Sequence, residues 1–253
     1  MKTILITGAA SGIGAAVARQ FHAAGWSVGL LDVNEAALAD MAEQLRARVW
    51  WRVLDVTDSN QTRAVVEAFV REHGGYLSVL CNCAGILRTG AFEKISPGQH
   101  KSIIDINVTG VINASHAAFR FLRVTPDAVV VNMSSASAVY GTPDFASYSA
   151  SKFAVRGLTE ALNLEWKKHD IRVVDIMPPF VRTAMLAENP SASMDRMGVD
   201  LDPADIASAI WQVVQQGGST VHHPVSLSFQ ATVLLAKLAP ARVTRALIGF
   251  LSR

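Results

Sequence analysis

The chain has 253 residues, of which half are apolar and 17% are charged, so it can bury a substantial core and is not expected to be disordered. The formal net charge is +2 and no long run of like charge occurs, which excludes the electrostatic signature of a nucleic-acid-binding protein. Because Lys2 leads directly into an apolar run, we expect no signal peptide and a cytoplasmic protein.

Apolar runs alternate with helical patterns along the chain. Four strands are predicted in the first 125 residues, at 2–7, 27–31, 49–54 and 77–81, and each is followed by a helical pattern. Further strands are predicted at 128–133, 171–177 and 220–225. This alternation predicts an α/β fold, a single-domain Rossmann-type doubly wound parallel sheet of about seven strands with helices on both faces. A catalytic domain is expected over 1–220, and a C-terminal helical extension over 221–253.

The first strand ends in a glycine-rich turn, T-G-A-A-S-G-I-G at 7–14, and a helix follows with Val17 and Phe21 on its apolar face. Gly8, Gly12 and Gly14 leave room for a phosphate to approach the backbone, and the helix N-terminus offers free N–H groups. The alternative is a plain strand-to-helix turn. Three glycines within seven residues favour a dinucleotide-binding turn.

Asp32 follows the second strand, where a carboxylate can accept hydrogen bonds from the adenosine ribose of a dinucleotide and repel a 2′-phosphate. No Arg or Lys lies in the glycine turn or just after Asp32, so we expect NAD rather than NADP. A cap for the helix that starts near Asn34 is a compatible structural role. Asp55, Asn82 and Ser135 also fall at predicted strand ends, where ligands bind in such sheets.

Tyr148 and Lys152 stand four residues apart in a helical pattern that runs through Leu164, so they share one face. An ammonium beside a phenol favours the phenolate. Lowering the pKa of a tyrosine from about 10 to about 7 takes roughly 4 kcal/mol, which a lysine alone does not supply in water. A second cation, such as an oxidised nicotinamide, or a dry site must contribute. The structural alternative is an amphipathic helix with a lysine extended to solvent.

A long helix predicted at 97–122 contains the polar Asn107, followed closely by the helix-weakening Gly110. We interpret Asn107 as a buried side chain that forms hydrogen bonds with the backbone; the alternative is that it binds an ordered water at a kink in the helix.

The only cysteines, Cys81 and Cys83, are expected to point to opposite faces of a strand. They suit free thiols in a reducing compartment better than a disulfide or a zinc site.

With these residues in place, roughly residues 1–215 resemble the classical short-chain dehydrogenase/reductase family. The matching motifs are T-G-x-x-x-G-I-G at 7–14, D-V at 55–56, N-x-A-G at 82–85, N-V-x-G at 107–110, Ser135, Y-x-x-x-K at 148–152 and I-R-V at 171–173. Each motif alone is weak evidence for the family, but the order and spacing of all of them together are specific to it.

The resemblance implies that Tyr148 is the general acid/base and that Lys152 lowers its pKa and binds the nicotinamide ribose. Ser135 would hold the substrate oxygen, and Asn107 would complete a water-linked proton relay. The cofactor-binding residues implied in the same way are Gly8, Ser11, Gly12, Ile13, Gly14, Asp32, Asp55, Val56, Asn82, Ala84, Gly85, Tyr148, Lys152, Pro178, Val181 and Thr183. The family also implies a homodimer or homotetramer.

Three features depart from the family pattern. Cys83 stands where a second asparagine is usual, and Pro179 replaces a glycine, which removes a backbone N–H beside the expected nicotinamide site. The glycine-rich end that is usual after the seventh strand is replaced by an apolar tail.

Residues 184–200 lack periodicity and are rich in methionine, so we expect a lid over the substrate, with an ordinary surface loop as the alternative.

The tail contains an apolar stretch at 229–239 and, after Pro240, a second predicted helix. Its apolar face comprises Val243, Leu247, Phe250 and Leu251, and its opposite face comprises Arg242, Arg245 and Arg253. The stretch is too short to span a membrane. Packing on the protein or on a second subunit is favoured over attachment to a membrane surface. His222 and His223 are interpreted as strand-end surface residues, and no metal site is predicted.

Together these features predict an NAD(H)-dependent oxidoreductase that interconverts a secondary alcohol and a ketone, with an apolar small-molecule substrate. The alternatives are an NADP(H)-preferring carbonyl reductase of the same family and a dinucleotide-binding sensor without turnover. A sensor is expected to have a damaged catalytic set, whereas all four implied catalytic residues are present here.

Overall fold

A computed structural model describes residues 2–238 and 240–251. Seven parallel strands form one sheet in the order β3-β2-β1-β4-β5-β6-β7, which confirms the predicted doubly wound fold. The strands are β1 (Thr3–Thr7), β2 (Ser27–Asp32), β3 (Val49–Val53), β4 (Val79–Asn82), β5 (Val129–Met133), β6 (Arg172–Met177) and β7 (His222–Pro224).

Helices cover both faces of this sheet. They are α1 (Gly12–Ala23), α2 (Glu35–Leu45), α3 (Ser59–Glu72), α4 (Pro97–Ile104), α5 (Gly110–Leu122), α6 (Ala146–Trp166), α7 (Ala184–Ala187), α8 (Ala192–Met197), α9 (Pro203–Gln216), α10 (Leu227–Leu238) and α11 (Ala241–Leu251). Helices α1, α2 and α9 share a core with Ile4 and Ile6, while α3, α5 and α6 share one with Leu5. The central strands are apolar on both faces because both faces are buried.

The predicted long helix is interrupted at a single place. A Ser96–Gln99 capping box starts α4, and a π-helical turn at Asp105–Thr109 separates it from α5. Gly110 is required directly after that turn, because a Cβ there would lie 2.5 Å from Cγ2 of Val56. The turn sets Asn107 facing inward, where it is fully buried.

The tail packs on the chain at two places. Phe229 of α10 lies in a small cluster with Ala138 and Met177, and α11 contacts α8. The predicted apolar face of Leu247, Phe250 and Leu251, and the predicted Arg253, lie outside the described side chains. Of the helices that the structure describes, none is long and apolar enough to cross a bilayer.

The expectation that the two cysteines point to opposite faces is wrong. The sulfurs of Cys81 and Cys83 lie 3.4 Å apart, because side chains two residues apart in an extended segment share a face. Both cysteines are free thiols. The neighbouring thiol and burial raise the pKa of Cys81, so it stays protonated.

Candidate active site

A cavity of about 370 Å³ opens at the carboxyl ends of the strands. It is lined by all the predicted site residues except Asn82 and Asn107. The lining includes both the glycine turn and the Tyr148–Lys152 pair, so the two halves of the predicted site meet in one cavity. This is the position at which ligands bind in doubly wound sheets.

The glycine turn fits closely between β1 and β4. Gly8 has φ of +69°, and a Cβ on it would lie 2.7 Å from the backbone nitrogen of Ala84. A Cβ on Gly14 would lie 2.1 Å from the carbonyl oxygen of Gly8. The N-cap Ser11 makes no side-chain hydrogen bond, so the N–H groups of the first turn of α1 remain for a ligand. An uncapped helix start beside such a turn fits a dinucleotide pyrophosphate.

Asp32 lies at the end of β2 on the rim of the cavity. Its Oδ2 accepts a hydrogen bond from the Ala10 backbone (3.1 Å), and its Oδ1 accepts one from the Asn34 backbone (3.1 Å). These bonds fix the carboxylate beside the glycine turn. The cap of α2 is Asn34 itself, whose side chain accepts from the Ala37 backbone, so Asp32 is not the helix cap.

Asp55 and Val56 line the same end of the cavity, after β3. The Asp55 carboxylate accepts hydrogen bonds from the backbone N–H (2.9 Å) and the hydroxyl (2.8 Å) of Thr57. Gln61 of α3 accepts from the Asp55 backbone, which holds this loop against the sheet. Val181 and Thr183 line the cavity from the opposite side, and the Thr183 side chain caps the short α7.

Ser135, Tyr148 and Lys152 form one cluster. Ser135 follows β5, and its hydroxyl lies close enough to the Tyr148 phenol to lower the pKa of that phenol. Lys152 lies one turn after Tyr148 on α6, with its Nζ 5.4 Å from the centre of the phenol ring. The Lys152 ammonium donates to the Met133 carbonyl oxygen at 2.8 Å, which holds this nearly buried side chain against the end of β5.

Burial dominates the electrostatics of this cluster. It raises the pKa of Tyr148, and the neighbouring Ser135 hydroxyl opposes that shift. It also lowers the pKa of Lys152 to about 8, against a smaller opposing effect of Cys83. The expectation that a dry site would help to lower the pKa of the tyrosine is therefore wrong, because removing water disfavours the phenolate.

Asn107 and Asn82 lie behind the cavity wall. The Asn107 side chain accepts from the Ile86 backbone N–H (2.8 Å) and donates to the Ile86 carbonyl (3.0 Å) and the Ser151 hydroxyl (3.1 Å). The interpretation of a buried asparagine that bonds to backbone is thus confirmed. Asn82 donates to Asn132 (2.8 Å) and to Ser115 (3.2 Å), so its side chain points into the sheet and not into the cavity.

One wall of the cavity is apolar and was not predicted from the sequence. Leu87, Phe145, Phe180 and Leu186 line it, and Phe145 packs against the Tyr148 ring with centroids 6.4 Å apart. No local pattern marks these residues, because they come from the loop after β4, the start of α6 and the segment that leads into α7, which meet only in the fold.

The segment 184–200 contains the short helices α7 and α8 where an irregular loop was expected. Of its three methionines, Met185 lines the cavity, Met194 packs against the apolar wall and Met197 is exposed. Arg182 anchors the base of the segment, since its Nε donates to Oδ1 of Asp202 at 2.8 Å.

His222 is not a plain surface residue, contrary to the prediction. Its Nδ1 lies 2.8 Å from Oδ2 of the fully buried Asp175, and its Nε2 lies 2.8 Å from Oε1 of Glu160. The bond to Asp175 raises the pKa of His222. Burial raises the pKa of Asp175, while the bond from His222 opposes that shift. Within the described part of the chain, no group of three His, Cys, Asp or Glu could hold a metal ion.

A glycine turn, a strand-end carboxylate and a hydroxyl–phenol–ammonium cluster around one cavity define a dinucleotide-binding oxidoreductase site. The family model described as short chain dehydrogenase matches residues 2–193. The chain therefore belongs to the short-chain dehydrogenase family, and it is an NAD(P)-dependent oxidoreductase that acts on CH–OH groups.

Named relatives span most of the chain. A 3alpha-hydroxysteroid dehydrogenase from Mediterraneibacter gnavus is 34% identical over 82% of this chain and 87% of its own. A 3-alpha-(or 20-beta)-hydroxysteroid dehydrogenase from Mycobacterium bovis is 36% identical over 73% of this chain and 70% of its own. The crystal structure of 3-ketoacyl-(acyl-carrier-protein) reductase from Brucella melitensis complexed with NADH has a TM-score of 0.82 at 26% identity, covering 88% of this chain and 96% of that one.

Proposed function

We propose that this protein interconverts an apolar secondary alcohol of the hydroxysteroid class and the matching ketone, with NAD(H) as the preferred cofactor. The observation that carries this proposal is the contact between the Ser135–Tyr148–Lys152 cluster and an apolar wall inside one glycine-lined cavity. A bound nicotinamide supplies or accepts the hydride at the carbinol carbon.

Tyr148 moves the proton of the substrate hydroxyl. In the oxidation direction the phenolate accepts that proton, and in the reduction direction the phenol donates it to the carbonyl oxygen. Ser135 lines the cavity beside the phenol, so its hydroxyl is positioned to hold the substrate oxygen next to Tyr148. The two hydroxyls therefore fix the reacting oxygen between them.

Lys152 favours the phenolate whenever its ammonium is charged. With a pKa of about 8, it is mostly charged at neutral pH and loses that charge in mildly alkaline solution.

Asn107 acts differently from the catalytic cluster, as a positioning residue. Its bonds to the Ile86 backbone and to Ser151 of α6 tie the loop after β4 to the helix that carries the catalytic pair.

NAD(H) preference is supported by Asp32, which is fixed on the rim of the cavity by two backbone N–H groups. A 2′-phosphate would stand beside this carboxylate. No arginine or lysine follows Asp32 in the sequence until Arg46, and none lies in the glycine turn. Neither of these two segments therefore supplies a cation that would offset repulsion of the phosphate.

The apolar substrate is supported by the cavity wall of Leu87, Phe145 and Phe180. These side chains lie beside the phenol and offer aromatic and aliphatic surface to a fused-ring ligand. Two of the relatives named above are hydroxysteroid dehydrogenases. The segment 184–200 would close over such a ligand from the side of Met185.

A homodimer is supported by exposed apolar side chains on the outer faces of α5 and α6, namely Ile112, Phe153 and Leu164. These helices are packed together through Phe119 and Trp166, so the exposed side chains lie on one helical layer.

A cytoplasmic location is supported by the free thiols of Cys81 and Cys83, which lie close enough together that an oxidising compartment could oxidise them.

The test is an initial-rate screen of hydroxysteroids, oxosteroids and small polar alcohols with NAD(H), monitored by nicotinamide absorbance. We expect turnover of the fused-ring substrates and little turnover of short polar alcohols. A Phe145→Ala variant should lose at least tenfold in kcat/KM for the large substrate and much less for a small ketone. Dinucleotide binding without any turnover across the screen would contradict the proposal and indicate a sensor.

A further inference from the structure

The tail exposes an apolar surface that the fold does not cover. Leu227, Leu234 and Leu235 of α10 are 83%, 60% and 66% exposed, and Val243 of α11 is 55% exposed. We call these four side chains the tail surface. Single exposed leucines are ordinary, but three on one twelve-residue helix and a valine on the next are a concentration that marks an interaction surface.

The exposure of these residues is not a consequence of loose attachment of α10. Phe229 and Val233 are on the other side of the helix and pack with Ala138 and Met177. Gln230 donates to the Pro224 carbonyl at 3.1 Å, which joins the helix start to β7. The helix therefore already has a buried face, and the tail surface is a second apolar face that points away from the protein.

The charged side chains of the tail itself have one sign. Residues 206–253 contain no Asp or Glu, whereas they contain Lys237, Arg242, Arg245 and Arg253. The side chains of Arg242 and Arg245 are exposed on α11. Exposed aliphatic side chains together with only basic charges match the chemistry of an anionic lipid surface, in which leucine enters the acyl region and arginine meets phosphate.

A second copy of the chain fits this surface less well. In a two-fold symmetric dimer the same patch faces itself, so the arginines of one copy would meet those of the other without an acidic partner from this segment. The exposed apolar face of α5 and α6 is also a separate candidate for the subunit contact.

We propose that α10 and α11 form a docking surface for an anionic lipid bilayer. The tail lies in the interface and does not span it, in keeping with the lengths of both helices. The surface adjoins the substrate side of the site: α11 packs against α8, and Phe229 contacts Ala138, three residues after Ser135. The role of this docking rests on the proposed function: it would bring an apolar alcohol dissolved in lipid to the mouth of the cavity.

The experiment is co-sedimentation of the full chain with vesicles of phosphatidylcholine, alone or mixed with phosphatidylglycerol. We expect binding to the mixed vesicles that weakens as salt is added, because exposed charges are screened. The double variant Leu234→Asp/Leu235→Asp should bind at least tenfold more weakly. Arg242→Gln/Arg245→Gln should bind about 25-fold more weakly, since each basic residue contributes about fivefold near such a surface.

The control is Val124→Asp, which introduces an aspartate at a valine that is 53% exposed after the end of α5, outside the tail. It should bind vesicles like the wild type. Tyr148→Phe should also bind normally, so failure of the proposed chemistry is distinguishable from failure of docking. Equal sedimentation of wild type and both tail variants would overturn the proposal. So would a change from dimer to monomer in the leucine variant with vesicle binding unchanged, because the tail would then be a subunit interface.

Discussion

Replacement of Asp32 by Asn should relax the preference for NAD(H). The carboxylate is fixed by the backbone N–H groups of Ala10 and Asn34, each at 3.1 Å, and cannot turn away from a ligand at the end of β2 without losing them. Asn keeps the shape but removes the charge. The Asn amide has only one oxygen that can accept a hydrogen bond, so the backbone N–H of either Ala10 or Asn34 loses its partner.

The size of the effect follows from Coulomb's law. Two unit charges about 4 Å apart repel by about 1 kcal/mol in water, and a 2′-phosphate carries close to two charges. Discrimination against NADP(H) by this carboxylate is therefore at least about 2 kcal/mol, or roughly 30-fold in kcat/KM. Asp32→Asn should remove most of that factor. It should also weaken NADH use severalfold, through the lost acceptor for ribose hydroxyls.

The assay compares kcat/KM for NADH and NADPH in the wild type, Asp32→Asn and the control Asp40→Asn. Asp40 lies on α2 outside the cavity lining, so its replacement removes the same charge without touching the site. The NADH/NADPH ratio should fall at least tenfold in Asp32→Asn alone. A ratio that is unchanged in Asp32→Asn, or that falls equally in Asp40→Asn, would refute the role of this carboxylate.

Three further outcomes are expected. Gly14→Ala should abolish NADH binding in a fluorescence titration, because its Cβ would lie 2.1 Å from the Gly8 carbonyl oxygen; normal affinity would contradict the tight turn. Ser135→Ala should lower kcat by about 10²–10³-fold with NADH affinity unchanged, and a near-normal kcat would remove Ser135 from the reaction. In His222→Gln the loss of stability should depend on pH. The bond to Asp175 raises the pKa of His222, so the stabilisation is full below about pH 6.5 and is lost as pH rises through the folded-state pKa. The difference in Tm between wild type and variant should therefore shrink from about pH 6 to about pH 9, and a constant difference would contradict the ion pair.

The fold was predictable because strands buried on both faces leave a strong apolar signal. The predicted strands lie within two residues of those observed, and the largest shifts are at β4, predicted at 77–81 and found at Val79–Asn82, and at β7, predicted at 220–225 and found at His222–Pro224. The position of the glycine turn, Asp32 and the Tyr148–Lys152 pair around one cavity followed from the rule that ligands bind at strand ends.

What the sequence did not predict depends on contacts between distant segments. The apolar wall combines Leu87, Phe145 and Phe180 from three loops, and no periodic pattern connects them. Asn82 was placed among the cofactor-binding residues from its motif, yet its side chain bonds to Asn132 and Ser115 inside the sheet. Side-chain direction at a strand end is decided by the neighbouring strand, which a linear motif does not describe.

The electrostatic outcome also required the structure. From the sequence, Lys152 was expected to favour the phenolate, with either a second cation or a dry site as a further contribution. In the fold, burial raises the pKa of Tyr148 and lowers the pKa of Lys152 to about 8. Burial therefore acts against the charged form of both groups. A one-dimensional pattern shows which groups are neighbours but not how much water each one loses.

The most direct test of the account is Tyr148→Phe, assayed for turnover and for NADH binding in the same preparation. The change removes one hydroxyl and leaves the ring packed on Phe145. We predict a fall in kcat of at least about 10²-fold with NADH affinity unchanged, because the proton donor is lost while the dinucleotide site is intact. Turnover at the wild-type rate, with NADH still bound, would contradict the central claim that this phenol carries the proton.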